Sequence, residues 1–230
     1  FFFQAEDGIR DCLLSRGLGD VYKRQGLVVV KIGVLALQGD VREHIQSLSD
    51  CGVDALAVKT KSEIENISAL VIPGGESTTI AKLARSFDLF DLIKDRIKGG
   101  MPTYGSCAGM ILLSDVVEDA IIGQESFGGI DMVVKRNAFG RQVDSFETDL
   151  KFKGITDPPV RAVFIRAPWV ESVGENVEVL AEISDSSGQR HPVAVRQGHL
   201  LATSFHPELT GDNRVHKFFV ENICRQTVNS

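Results

Sequence analysis

The run Val28–Leu37 carries a single charge, Lys31, and is otherwise apolar along its length. A strand with one wet face alternates apolar and polar residues, whereas a strand covered on both faces reads as a nearly unbroken apolar run. A membrane span needs about 20 apolar residues, so this run is too short for one. It predicts a central strand in a sheet flanked by helices on both sides. Val41, Ile45 and Leu48 then recur at helical spacing, and Gly52 marks a helix stop. Ala55–Val58 and Ala69–Ile72 read as short strands, the second ending in Pro73-Gly74-Gly75. Ile80, Leu83, Ala84 and Phe87 mark a helix, and Asp91–Lys98 a further one closed by Gly99-Gly100. Met101–Tyr104 reads as a strand that leads into Gly105-Ser106-Cys107-Ala108-Gly109, with a helix expected over Ala108–Val117. This alternation predicts an α/β fold with a mostly parallel central sheet and helices on both faces.

The later half reads richer in strands, at Met132–Lys135, Ala162–Ile165, Val177–Ile183, Pro192–Arg196 and Leu200–Ser204. A last helix is expected from about Arg214 to Arg225. No repeat or low-complexity linker divides the chain, so one domain over 27–230 is the simplest organisation. Residues 1–25 have neither helical nor strand periodicity and resemble translated adapter sequence joined to a reading frame. A disordered tail is the alternative, and 1–26 is set aside as a non-native or disordered leader. The net charge of −6 argues against a nucleic-acid surface, which needs clustered Lys and Arg. The four cysteines, Cys12, Cys51, Cys107 and Cys224, match no zinc or disulfide spacing and suit a reducing cytoplasm.

Gly105-x-Cys107-x-Gly109 between a strand and a helix is the cysteine form of a nucleophile elbow. Such a turn strains the nucleophile's backbone, and flanking glycines let neighbouring chain approach closely. It also sets the sulfur at a helix N-terminus, where the dipole favours thiolate. An isolated cysteine is more often a buried packing residue; this setting separates Cys107 from that background. A thiol nucleophile needs a base, and the base needs a group that fixes its tautomer. His206-Pro207-Glu208 follows the last strand and offers both. A surface turn is the plainer reading of that tripeptide. His44 falls on an early helix and His216 on the last one, while His191 and His199 lie near strand ends without a paired carboxylate. Gly74-Gly75-Glu76-Ser77-Thr78 follows the third strand, where glycines allow backbone N–H groups to face a developing oxyanion. The N–H of Ala108 would be the second donor. An ordinary turn with Ser77 or Thr78 as helix N-cap fits the same residues.

Taken together, the cysteine elbow, the Gly-Gly-Glu-Ser loop and His-x-Glu resemble the class I (triad) glutamine amidotransferases. More narrowly, the chain is similar to the glutaminase subunits of pyridoxal 5′-phosphate synthase, the PdxT/SNO family. The match is carried by Leu37-Gln38-Gly39-Asp40-Val41-Arg42-Glu43-His44, by Pro73–Thr79, by Cys107-Ala108-Gly109 and by the segment from Arg136 to Glu147. Phe164–Pro168 and Ser204–Thr210 complete it, with Ser106 standing where Thr is expected. The resemblance implies the flavodoxin-like amidotransferase fold and a triad of Cys107, His206 and Glu208. It implies a glutamine site lined by Gly75, Glu76, Ser77, Arg136, Ile165 and Arg166. It places Gly75, Ala108 and Gln38 at the oxyanion. An arginine fork suits the α-carboxylate of glutamine. The implied reaction is hydrolysis of L-glutamine to glutamate and ammonia through a thioester, with no metal and no organic cofactor. The implied partner is a synthase subunit of the PdxS/SNZ type in a hetero-oligomer, with no role for nucleic acid or membrane. The rivals are the histidine-pathway glutaminase, against which the Arg136–Gln142 segment speaks, a non-catalytic protein on the same fold, and a γ-glutamyl peptidase.

Overall fold

A computed structural model describes residues 30–225 except 119, 121, 122, 137, 139–144 and 186. The expected leader, Val28 and Val29, and most of the middle of the Arg136–Glu147 segment therefore lie outside the described residues. The apolar run becomes β1 (Lys31–Leu35), in which Ile32 to Leu35 are all buried. It lies between β2 (Asp54–Val58) and β3 (Ala69–Ile72), parallel to both. Four more strands extend this sheet: β4 (Thr103–Ser106), β10 (Glu178–Ser184), β11 (Arg190–Gln197) and β12 (Leu200–Thr203). The order across it is β10-β11-β12-β4-β3-β1-β2. From β12 to β2 all neighbours pair in parallel, while β11 runs antiparallel to both β10 and β12.

Alternation along the central strands fills two cores. Leu70 and Ile72 of β3 pack with Ile80, Ala84 and Ile93 on one face. Ala69 and Val71 pack with Leu48, Phe205 and Phe219 on the other. The second face is covered by α1 (Val41–Asp50) and α6 (Arg214–Phe219), the first by α3 (Ser77–Ser86) and α4 (Phe90–Lys98). Leu70 is fully buried, and truncating such a residue to alanine costs about 2–5 kcal/mol. A short helix, α2 (Lys61–Glu65), opens on a capping box in which Thr60 accepts from the Glu63 N–H and Glu63 accepts from the Thr60 N–H.

The helix expected over Ala108–Val117 is shorter. α5 (Ala108–Leu113) is buried at every position and stops at Ser114, whose hydroxyl donates to the Ile111 carbonyl. The chain then turns into β5 (Ser114–Glu118), where the β-branched Val116 and Val117 suit an extended backbone. β5 joins β6 (Ile130–Lys135) and β9 (Trp169–Val173) in a second sheet, and β7 (Ser145–Leu150) pairs with β8 (Val160–Ile165). β7 and β9 are additions to the expected strands. The last helix changes to a π-helical turn at Val220–Cys224.

Candidate active site

The carboxyl ends of β1, β3, β4 and β12 lie side by side, and each is followed by residues of the site. Open α/β sheets keep their ligands at this edge. Cys107 follows β4 directly, with φ 48° and ψ −99°. Its N–H donates to the Thr203 carbonyl at 2.8 Å, which ties the elbow to β12. The glycines explain how so tight a turn closes. A Cβ on Gly105 would stand 2.4 Å from the Gly109 carbonyl carbon, and one on Gly109 would stand 2.4 Å from the Ile72 carbonyl oxygen. Gly109→Ala is therefore expected to push α5 off β3, lowering both the melting temperature and activity; an unchanged melting temperature, read by thermal unfolding, would contradict this packing.

Three groups meet at the elbow. His206 is close enough to the Cys107 side chain for the two to interact electrostatically. His206 Nδ1 lies 2.8 Å from Glu208 Oε1 and 3.5 Å from Asp40 Oδ2. The thiol also donates to the Ile165 carbonyl at 3.8 Å. Cys107, His206 and Glu208 are all buried. Burial by itself would push His206 down, but its interactions with Asp40, Cys107 and Glu208 more than offset that and raise its pKa. For Glu208, burial works upward, yet the field of His44 and the hydrogen bonds from His206 and His44 hold it below the ordinary carboxylate range. An ionised Glu208 and a His206 with raised pKa favour the protonated imidazole that can later return its proton to the leaving nitrogen. Asp40, His206 and Glu208 also offer ligand atoms within 4.8 Å of one another. A cation there would displace the hydrogen bond that orients the base.

Several of the remaining expected residues are linked to one another by hydrogen bonds. Gln38 Oε1 accepts the Glu76 N–H at 2.9 Å. Gly75 has φ +146°, and a Cβ there would lie 3.0 Å from Gln38 Oε1. Arg136 donates to Glu76 Oε1 at 3.0 Å and to Gln124 Oε1 at 2.7 Å, while Gln124 donates to the Ser77 hydroxyl at 3.3 Å. Arg166, at φ 43°, follows the carbonyl that meets Cys107. Ala108 opens α5, so its N–H belongs to the first turn, where helical donors have no intrahelical acceptor.

Asp40, Gln124, His44 and His216 do not stand out in the sequence as site residues. His44 is fully buried; its Nε2 lies 3.4 Å from Glu208 Oε1 and 3.1 Å from Ser106 Oγ, and its Nδ1 lies 2.9 Å from His216 Nε2. Burial, with the field of His44 behind it, pushes His216 from the ordinary 6.5 down to about 3. The unfolded chain therefore binds a proton there near pH 6.5 and the folded chain does not. Its contribution to stability is complete above pH 6.5 and is lost as pH falls toward 3. His216→Gln should flatten the decline in melting temperature between pH 6.5 and about pH 5, a window above the ordinary carboxylate range; a decline as steep as the wild type's would contradict a neutral buried His216.

The chain is similar to known glutamine amidotransferases. The model of the SNO glutamine amidotransferase family matches residues 34–225. A protein of a Nocardioides species named pyridoxal 5′-phosphate synthase subunit PdxT is 58% identical over 195 residues, 85% of this chain and 96% of that protein. One of the same name from Nocardia farcinica is 60% identical over 190 residues, 83% of this chain and 84% of its own length. A crystal structure of a glutamine amidotransferase aligns with TM-score 0.75 and 48% identity, covering 83% of this chain and 97% of that one. PurLQS of Thermotoga maritima, at 15% identity and TM-score 0.58, covering 84% of this chain and 97% of its own, shares the fold. A strained cysteine facing a paired histidine and glutamate at the carboxyl edge of a parallel sheet, with a family match over nearly all of the described residues, places this chain in the SNO glutamine amidotransferase family.

Proposed function

We propose that this chain hydrolyses L-glutamine to glutamate and ammonia through a Cys107 thioester, and that the ammonia serves a synthase subunit in pyridoxal 5′-phosphate formation. The observation that carries the chemistry is a His206 whose Nδ1 is held 2.8 Å from Glu208 Oε1 and which is coupled to Cys107 on its strained elbow. His206 takes the thiol proton, and the sulfur attacks the side-chain amide carbon. Gly75 and Ala108 supply backbone N–H groups to the oxyanion. His206 returns the proton to the departing nitrogen, so ammonia leaves. Water then cleaves the thioester, with His206 again as base, and glutamate is released. The pairing of Arg136 with Glu76 supports their assignment to the two ends of an α-amino acid, the guanidinium taking its carboxylate and the carboxylate its ammonium. Ser77, Ile165 and Arg166 complete that pocket. The domain is assigned to residues 27–230.

The partner assignment, a PdxS-type subunit in a hetero-oligomer, rests on the names of the relatives. It accounts for a site that would otherwise waste glutamine. Gln38 holds the Glu76 N–H and Gly75 has a positive φ, so the Gly74–Gly75 peptide, which carries the Gly75 N–H, can turn when a partner engages the loop. Removing one oxyanion donor costs about 10²–10³-fold in rate, enough for a switch. Turnover measured against added synthase subunit is expected to rise from a slow basal rate, and Gln38→Ala should blunt the rise while leaving the melting temperature near wild type. A flat titration, with the complex demonstrated by sedimentation, would refute the switch.

A further inference from the structure

The Glu208 side chain has no solvent exposure, and its Oε2 has no hydrogen-bond partner among the described residues. Both polar neighbours recorded for Oε1 are histidines: His206 at 2.8 Å and His44 at 3.4 Å. A carboxylate held only by the imidazole that it must orient could rotate with it. His44 comes from α1, on another part of the chain, and its Nε2 also meets the hydroxyl of Ser106, the residue before the nucleophile. One ring thus joins the carboxylate to the elbow. Its other nitrogen lies 2.9 Å from His216 Nε2.

Proton bookkeeping gives this chain of rings a direction. A neutral imidazole carries one N–H, so one nitrogen donates and the other accepts. Buried His216 is held neutral, and its Nδ1 has no partner among the described residues. His216 Nε2 meets His44 Nδ1, so one of these two nitrogens donates to the other. The other His44 nitrogen, Nε2, faces the Glu208 carboxylate and the Ser106 hydroxyl, and a carboxylate can only accept, so Nε2 carries a proton there.

We infer that His44 is a positioning residue for glutamine hydrolysis, anchoring the Glu208 carboxylate and tying it to the elbow through Ser106. This rests on the triad reading of Cys107, His206 and Glu208. The effect passes through His206. A freely turning Glu208 holds the His206 Nδ1–H less firmly, so Nε2 faces the sulfur for less of the time. Outer hydrogen-bond partners of this kind are worth about 10–100-fold in function where they have been removed from other sites.

The test compares His44→Leu and His44→Gln in the full chain with the synthase subunit present. His44→Leu should lower kcat for glutamate release about 10–100-fold with KM close to wild type. His44→Gln, whose amide reaches toward the former Nε2, should recover most of that loss. A folded His44→Leu with wild-type kcat would overturn the inference, as would an equal loss in both variants, since that is the behaviour of a mere packing residue. If His44→Leu fails to fold, ¹⁵N resonances of the wild-type imidazoles decide: a proton on His44 Nε2 supports the inference, and one on Nδ1 alone overturns it. A Cys107→Ala control that still released glutamate would instead remove the triad reading itself.

Discussion

Replacing Cys107 by alanine is expected to lower glutamate release about 10⁴-fold or more while the melting temperature stays near wild type. The loss is large because the sulfur forms the covalent bond on which both halves of the reaction depend. The fold should survive because the strained φ of 48° burdens alanine no more than cysteine, both having a Cβ. Removing the sulfur gives up only its electrostatic coupling to His206 and a long hydrogen bond to the Ile165 carbonyl at 3.8 Å. Glutamate assay beside thermal unfolding separates the two quantities. A variant that loses both together would mean that the side chain is structural.

Gly74→Ala should be nearly as damaging by another route. Gly74 lacks a positive φ, so its backbone accepts a side chain. A Cβ there, however, would lie 2.3 Å from His206 Cε1 and 2.9 Å from Nδ1. The imidazole cannot simply step aside, because Glu208 at 2.8 Å and Asp40 at 3.5 Å hold its Nδ1. It would be tilted off the sulfur, and a misplacement of about 1 Å in a reacting group costs on the order of 10²-fold. The expected result is a fall in kcat of about 10²-fold or more with a modest change in melting temperature. Wild-type turnover in this variant would mean that His206 has freedom that its surroundings deny.

The central strands are legible in the sequence because burial on both faces writes itself as apolar runs. β1 and β3 are sandwiched between cores, and their sequences are apolar nearly throughout. Cys107, His206 and Glu208 are legible because each sits in a short local pattern, a glycine-flanked elbow or a histidine two residues from a carboxylate. β5 reads as the end of a helix, since Ser114–Glu118 has no glycine or proline to announce the change. What ends α5 is the extended backbone at Ser114, together with pairing to a strand that starts at Ile130. His44 passes unnoticed because it sits on a helix face like any other polar residue. Its partners, Ser106, Glu208 and His216, are remote in sequence and become neighbours only once α1 and α6 cover the same face of the sheet. Arg136 and Glu76 are each expected at the glutamine site, but their pairing with one another needs the fold.

Cys51 and Cys224 provide the contrast that makes the nucleophile testable. Burial, aided by the nearby Asp50, pushes the Cys51 thiol up to about 11, and burial pushes Cys224 up to about 12. Neither holds a thiolate at neutral pH, and thiolate is the reactive form. The most direct measurement is therefore peptide mapping by mass spectrometry after reaction with a γ-electrophilic glutamine analogue. The expected result is an adduct on Cys107, suppressed by excess glutamine, with Cys51 and Cys224 unmodified and glutamate release lost in proportion to labelling. An adduct on Cys51 or Cys224 that tracks the loss of activity, with Cys107 unmodified, would contradict the assignment of Cys107 as the nucleophile.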